Sequence, residues 1–395
     1  MRVTQLTKMT TPIIVLSVVL PVGRAGQWQE FAVWPSADNQ EHPDVWAQVI
    51  VWHQFVGEYG DYDVYVVDIN DPLEPFVLGI GDANDQMYPA IFEDTVVWQD
   101  YIVWEDSADW DIWIADISDW NEPQAFAVSG VAYNDEEQPA VHGNTVVWQD
   151  NNGADFNIYA ADITNPSAPI EFPVADFAFD QNAPAVWRTT VVWQDNVHGD
   201  WDVFAADIWR RNKPEEFDVS PVENHQKNPV LWGDTVVWQD NSLGNWDIYA
   251  ADISDRDKPS EFGITVNEAQ QTNPDIDGNL VVWQDNRNGN WDIYGYNLTT
   301  HRRFRVTDNP RDQINPAVSG NVVVWQDNRD GSWNIYAAVL EGPAVAQCAS
   351  EVLGDVNGDC EVDFGDLALM ASYWLDCRLE PQEACPQQAG RGTGG

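Results

Sequence analysis

The chain has 395 residues, of which 65 are acidic and 18 basic, and its formal net charge is −47. A surface this negative repels nucleic-acid backbones and anionic lipid, so neither is an expected partner, while it suits an exported soluble protein or one that attracts cations. The 22 tryptophans supply material for a large aromatic core.

The N-terminus reads as an export signal. Arg2 and Lys8 give a basic start to a leader whose apolar run, 13–22, is too short to span a bilayer, and Gly23-Arg24-Ala25 places small residues at −3 and −1. Cleavage after Ala25 is expected, with 1–25 as signal peptide. The product would be secreted, extracellular or at the cell surface, with no membrane insertion after cleavage; an uncleaved anchor is the alternative.

From 26 to 340 the chain repeats itself. Trp52, Trp98, Trp148, Trp193, Trp238, Trp283 and Trp325 each close a short apolar run, and they recur at about 45 residues, the period of a propeller blade. One copy reads Val281-Val282-Trp283-Gln284-Asp285-Asn286-Arg287-Asn288-Gly289-Asn290-Trp291-Asp292-Ile293-Tyr294. Two strand-like runs around a short polar loop with Gly make a β-hairpin signature. Each period holds four such pieces; in the copy ending near Phe262 they are 228–232 (A), 235–239 (B), 246–251 (C) and 261–264 (D). B and C are almost continuously apolar, as strands covered on both faces are. Four short antiparallel strands make one blade.

The ends of the repeat set the blade number. Residues 30–33 form a D-type strand with no A, B or C before it, and 316–318, 322–325 and 333–336 supply A, B and C with no D after them. The N-terminal strand would complete the last sheet and cover its open edge. The expected fold class is therefore all-β, a seven-bladed β-propeller closed by the N-terminal strand, followed by a small C-terminal Ca-loop/helix module. The copies resemble the TolB-like propeller repeat: Pro274, Gly278, 281–283, Gly289 and Asp292-Ile293-Tyr294 follow its order of a Pro-led strand, a Gly turn, an apolar strand, a polar turn and Asp-Ile-Tyr. The resemblance covers roughly 28–340 and departs where Ser319-Gly320 and His142-Gly143 replace Ser-Pro-Asp-Gly. It implies a fold that hosts binders and enzymes alike.

Beyond the repeats, 341–350 reads as a linker, 351–385 as a second module and 386–395 as a disordered tail. Asp355, Asn357, Asp359, Asp363 and Asp366 fall at positions 1, 3, 5, 9 and 12 of a loop, with the Glu361 carbonyl at 7, which is the spacing that wraps one calcium ion in hard oxygen ligands. A helix over 367–375 is predicted next. The segment resembles one half of a dockerin, with Cys360 where Gly makes the sharp turn. That resemblance implies a cohesin-like or cell-surface protein as partner. Cys348, Cys360, Cys377 and Cys385 are an even set in an exported chain and point to two disulfides, in any of the alternative pairings.

Within the propeller, Asp residues recur in every copy, after Gln (Asp100, Asp150, Asp195, Asp240, Asp285, Asp327) and before Ile or Val (Asp63, Asp111, Asp202, Asp247, Asp292). A catalytic carboxylate is needed once or twice, so these are read as ties for the B–C turn. Gln40, Gln86, Gln181, Gln226, Gln271 and Gln313 stand three residues before the A-strand prolines, with Glu136 in the remaining copy. They are expected either to satisfy loop backbone or to ring the channel mouth as ligand-binding amides for a glycan. Tyr101 and Trp104, with Trp110, sit in an irregular second copy that offers a ligand-contacting loop. His42 and His225 occupy D–A loops of one face, which leaves open a metal-assisted lyase of the kind some TolB-like propellers are. Signatures for serine hydrolases, zinc proteases and phosphate-binding loops are absent. The expected function is a secreted non-catalytic binding or display propeller, attached through the calcium module; the alternative is a polysaccharide-active lyase or glycosidase with its site on the top face.

Overall fold

The computed structural model describes residues 28–340 except 58–59, 71–75, 81–83, 104–107, 131–133, 152–153 and 212. The leader, the linker, the calcium-loop segment with its four cysteines, and the tail lie outside the described residues. No helix among those described is long and apolar enough to cross a membrane.

The described strands form seven antiparallel sheets of four. In each blade strand A lies innermost, and B, C and D follow outward, in chain order in blades 1–6. The A strands are Gln40–Trp46, Gln86–Phe92, Asp135–His142, Gln181–Trp187, Gln226–Trp232, Gln271–Asp277 and Gln313–Ser319, numbered here as blades 1 to 7. In blade 5 the other strands are Thr235–Asp240, Asp247–Asp252 and Ser260–Gly263, within two residues of the expected bounds. The N-terminal strand, Gln29–Ala32, pairs antiparallel with Asn334–Val339 of blade 7, with Phe31 opposite Ala337. The ring closes as anticipated: seven blades, the last one built from both ends of the repeat. Val33 is buried at the seam, in one cluster with Trp52 of blade 1 and Ile335 of blade 7.

The leading tryptophans hold neighbouring blades together. Each is 0–2% exposed. Trp193 of blade 4, for example, packs with Val147 and Ile158 of blade 3. Burying one indole removes about 150–250 Å² from water, worth roughly 4–6 kcal/mol as an upper figure. Within each blade the indole also faces the C-strand aromatic directly opposite, as Trp283 does Tyr294 at 6.4 Å between ring centroids.

A second tie between blades is made of hydrogen bonds, and it shapes the channel. Every A strand carries a β-bulge just before its proline, where the register with strand B slips. The residue preceding each proline has φ of 50–52°: His42, Tyr88, Gln138, Ala183, Asn228, Asn273 and Asn315. Left-handed backbone costs an L-residue roughly 1–2 kcal/mol, and a following proline restricts it further. The bulge persists because its N–H meets a fixed acceptor. In six blades that acceptor is Oε1 of the Gln in the preceding blade's Trp-Gln-Asp triplet, as in Asn273 N–H to Gln239 at 3.0 Å and Gln138 N–H to Gln99 at 2.9 Å. In the seventh, Tyr88 N–H donates to His53 Nδ1 at 3.1 Å, because blade 1 reads Trp52-His53-Gln54.

Gln239→Leu removes one such acceptor from a buried site. The stranded Asn273 N–H should lower unfolding free energy by about 1–3 kcal/mol. Thermal and urea melts would register this as a drop in midpoint with an unchanged urea slope, and an unaltered midpoint would show that the bulge needs no latch.

Candidate functional site

The A strands surround a central cavity of about 410 Å³, lined mainly by the residue before each proline and by the prolines themselves. Three layers of side chains face the axis. The rim layer is the bulge set, His42, Tyr88, Gln138, Ala183, Asn228, Asn273 and Asn315. Two residues on lies a small middle layer, in which Asp44 and Asp275 stand among Ala90, Ala140, Ala185, Val230 and Ala317. Two residues further comes a collar of Trp46, Phe92, His142, Trp187 and Trp232, completed by Asp277 and Ser319.

The collar is a packed arc. Neighbouring ring centroids lie 4.2, 4.1, 4.1 and 3.8 Å apart from Trp46 round to Trp232, a run of close tilted contacts. The middle-layer carboxylates are tied to the next blade: Asp44 accepts Ile91 N–H and Asp275 accepts Val318 N–H. Burial pushes Asp44 up to about 6 and Asp275 up to about 7, with the charge of Asp44 adding to the latter and the N–H bonds opposing.

The rim has two halves. On one side, Asn228 donates to Asn273 at 3.2 Å and Asn273 to Asn315 at 2.7 Å, a run of neutral amides crossing three blades. On the other, His42 packs against Tyr88 at 4.5 Å and against the fully buried His53 at 5.2 Å. Burial lowers His42 to about 4 and His53 to about 3, with His42 contributing to the second shift, so both are neutral at neutral pH. Burial also raises the Glu41 carboxyl above its usual range.

Glu41, His42 and His53 bring three ligand-type atoms within 4.8 Å of one another. A transition-metal ion requires a lone pair from each imidazole. His53 Nδ1 already accepts the Tyr88 N–H, so the ring proton belongs on Nε2, which faces Glu41 Oε2 at 4.0 Å. The atom turned into the cluster is a donor. While the latch is closed, this set does not fit a cation.

The sequence-predicted residues fall as follows. Gln40, Gln86, Gln181, Gln226, Gln271 and Gln313 are 0–1% exposed and do not reach the channel mouth. Amides of Gln40, Gln86, Gln181 and Gln313 donate to loop carbonyls such as Trp34 O, Asn84 O, Phe179 O and Arg311 O, and Gln271 bonds Asn267. The bulge is the reason: it turns the pre-proline side chain, two residues on, toward the axis. Tyr101 packs against Trp110 at 5.1 Å in a lengthened B–C hairpin outside the cavity lining, and Trp104 lies outside the described residues. His225 accepts Trp201 N–H at 3.2 Å and takes no part in the histidine pair, which is His42 with His53. The Asp after Gln does tie the B–C turn, as Asp285 does by accepting Arg287 N–H and the Trp283 indole. Asp355, Asn357, Asp359, Glu361, Asp363, Asp366, Cys348, Cys360, Cys377 and Cys385 lie outside the described residues. The rim residues and His53 were missed. Two signals pointed to them: a pre-proline position that varies among strict repeats, and one Trp-Gln-Asp triplet rewritten as Trp-His-Gln.

No known family's sequence profile matches the chain, and no curated protein matches it in sequence. Solved structures do match. An oligogalacturonate lyase in complex with manganese aligns with a TM-score of 0.60 at 12% identity, over 86% of this chain and 97% of its own. The β-propeller domain of the Trilobed protease from Pyrococcus furiosus, described as having an open velcro topology, aligns at 0.56 and 11% identity, over 79% and 95%. TolB from Acinetobacter baumannii reaches 0.44 at 12% identity, over 65% of this chain and 62%, less than two thirds, of its own. At these identities the likeness is one of fold, a β-propeller. This ring is closed by its N-terminal strand.

Glu136, in the place held by Gln in six blades, is 1% exposed. Burial, then the charges of Asp150 and Asp111, hold its carboxyl up at about 10, against a weaker opposing bond from Ser129. It is a neutral acid standing in for an amide. Its folded value lies above its unfolded one, so the stability it supports is complete below about pH 4.5 and drains away as pH rises toward 10. Glu136→Gln should match the parent near pH 4 and melt at progressively higher temperature than the parent from pH 6 to 9; a pH-independent difference would contradict this assignment.

Proposed function

We propose that this chain is an exported binding propeller that seats a neutral, hydroxyl-rich ligand, such as a short glycan, at the rim of its central cavity. The observation that carries this reading is the rim itself. In a chain of net charge −47, its polar lining is neutral: three Asn, one Gln, one Tyr and an uncharged His around about 410 Å³. Amides present donors and acceptors together, which is what hydroxyl groups require, and His42 and Tyr88 add stacking faces. Calorimetry against a panel of neutral oligosaccharides should find a ligand. Asn273→Ala should weaken it by about tenfold or more, the equivalent of one lost hydrogen bond. Equal affinities would remove the amide arc from the site.

A second reading, a polysaccharide-active enzyme, is favoured by one observation: the Glu41–His42–His53–Tyr88 corner breaks the sevenfold repeat, and one matching fold is an oligogalacturonate lyase. Absorbance assays for unsaturated products from oligogalacturonate would separate the two. Turnover abolished by His42→Ala supports the enzyme; binding without turnover supports the first reading.

We further propose that the C-terminal segment binds calcium through Asp355, Asn357, Asp359, Glu361, Asp363 and Asp366 and attaches the propeller to a cohesin-like or cell-surface protein. Calcium titration of the full chain should show one site that Asp355→Ala with Asp366→Ala eliminates; retention of that site in the double variant would place calcium elsewhere.

A further inference from the structure

In blades 3, 4 and 6 the latch residue has two ends. In blade 3, Gln149 Oε1 accepts Ala183 N–H of the next blade, while its amide donates to Glu137 at 3.1 Å, its cross-strand partner. In blade 6, Gln284 accepts Asn315 N–H and donates to Thr272 at 2.9 Å. Blade 1 substitutes an imidazole into this two-ended role. His53 Nδ1 accepts Tyr88 N–H, and its cross-strand partner is Glu41. The rigid ring stops short: Nε2 lies 4.0 Å from Glu41 Oε2 and has no hydrogen-bond partner among the described residues, although His53 is fully buried. A buried donor without an acceptor is costly, and this one lies beside the rim, between His42 and Tyr88.

Resting on the channel-binding reading above, we infer that His53 Nε2–H and the Glu41 carboxylate form a subsite for one ligand hydroxyl. The hydroxyl oxygen accepts from His53, and the hydroxyl O–H donates to the Glu41 carboxylate. Glu41 is the movable half: its side chain is 27% exposed and swings outward to admit the group, while His53 is held in place by its latch. The chemistry selects among ligands. A carboxylate meets the like charge of Glu41, a carbonyl has no proton for Glu41, and a metal ion meets an N–H where it needs a lone pair. A hydroxyl satisfies both partners at once.

His53→Gln tests the subsite with its own control. Glutamine is the residue of the other six blades, so the latch to Tyr88 should hold, and its amide should bond Glu41 directly as Gln149 bonds Glu137. A melting temperature above the parent's, from the restored bond to Glu41, would verify the fold. Methyl galactoside serves as the hydroxyl probe, galacturonate as the acid and Zn²⁺ as the cation, each titrated into full-length parent and variant, with ¹⁵N-histidine spectra of the parent. The expected results are a neutral His53 with its proton on Nε2, a shift of that signal on adding methyl galactoside, and about a tenfold loss of affinity in the variant. A proton found on Nδ1 would overturn the inference, as would one extra Zn²⁺ bound by the parent alone, or His53-dependent binding that favours galacturonate. Equal galactoside affinity in both proteins would remove this subsite yet leave the channel-binding reading standing. No galactoside binding by either protein would sink the subsite and count against that reading as well.

Discussion

One hydrogen bond, repeated around the ring, organises this molecule: the N–H of a left-handed pre-proline residue donating to a side chain of the blade before it. Proline and the left-handed conformation oppose each other locally, so the bulge is a non-local product. It exists because a buried amide in the neighbouring blade accepts the N–H. The same contact ties blade to blade near the axis and turns the pre-proline side chain into the lumen. Rim, blade spacing and backbone strain are therefore consequences of one interaction. Glutamine suits the role because its amide can accept from one blade and donate within its own.

Seven near-identical units make departures informative. The polar rim is neutral although the chain is strongly acidic, and buried acids near the axis are held toward their protonated forms or tied to backbone N–H groups. Glu136 behaves as the amide it replaces. Blade 1 departs in a different sense. There the amide becomes an imidazole, and the second hydrogen bond that glutamine makes in blades 3, 4 and 6 is left open beside the cavity. Blade 1 keeps its architectural bond with an imidazole in place of the amide, next to the central cavity.

The collar adds a further asymmetry. Five consecutive blades stack aromatic rings around the end of the axis opposite the rim, while blades 6 and 7 use Asp277 and Ser319 to bond backbone there, as Ser319 does with Ala47 N–H. Dispersion in one arc and hydrogen bonds in the other complete the same layer. The rim, lined mainly by amides with His42 and Tyr88, borders the central cavity.

Strand number, blade number and closure were legible in the residues because they follow from local pattern: period-45 tryptophans, apolar B and C runs, and a lone D-type strand at the start matched by a missing one at the end. Turn-tying by Asp285 and its equivalents was legible for the same reason, since an Asx turn involves only neighbours. What faces the channel was not. Counting in twos from Pro cannot reveal a bulge, so Gln40 and its equivalents were placed at the mouth, where His42 and its equivalents stand. His225 likewise read as a partner for His42, while His53 lay hidden inside a core triplet. Periodicity determines which residues become strands; only the contact between blades decides which of their side chains meet, because that contact supplies the energy that holds each strand out of its preferred backbone.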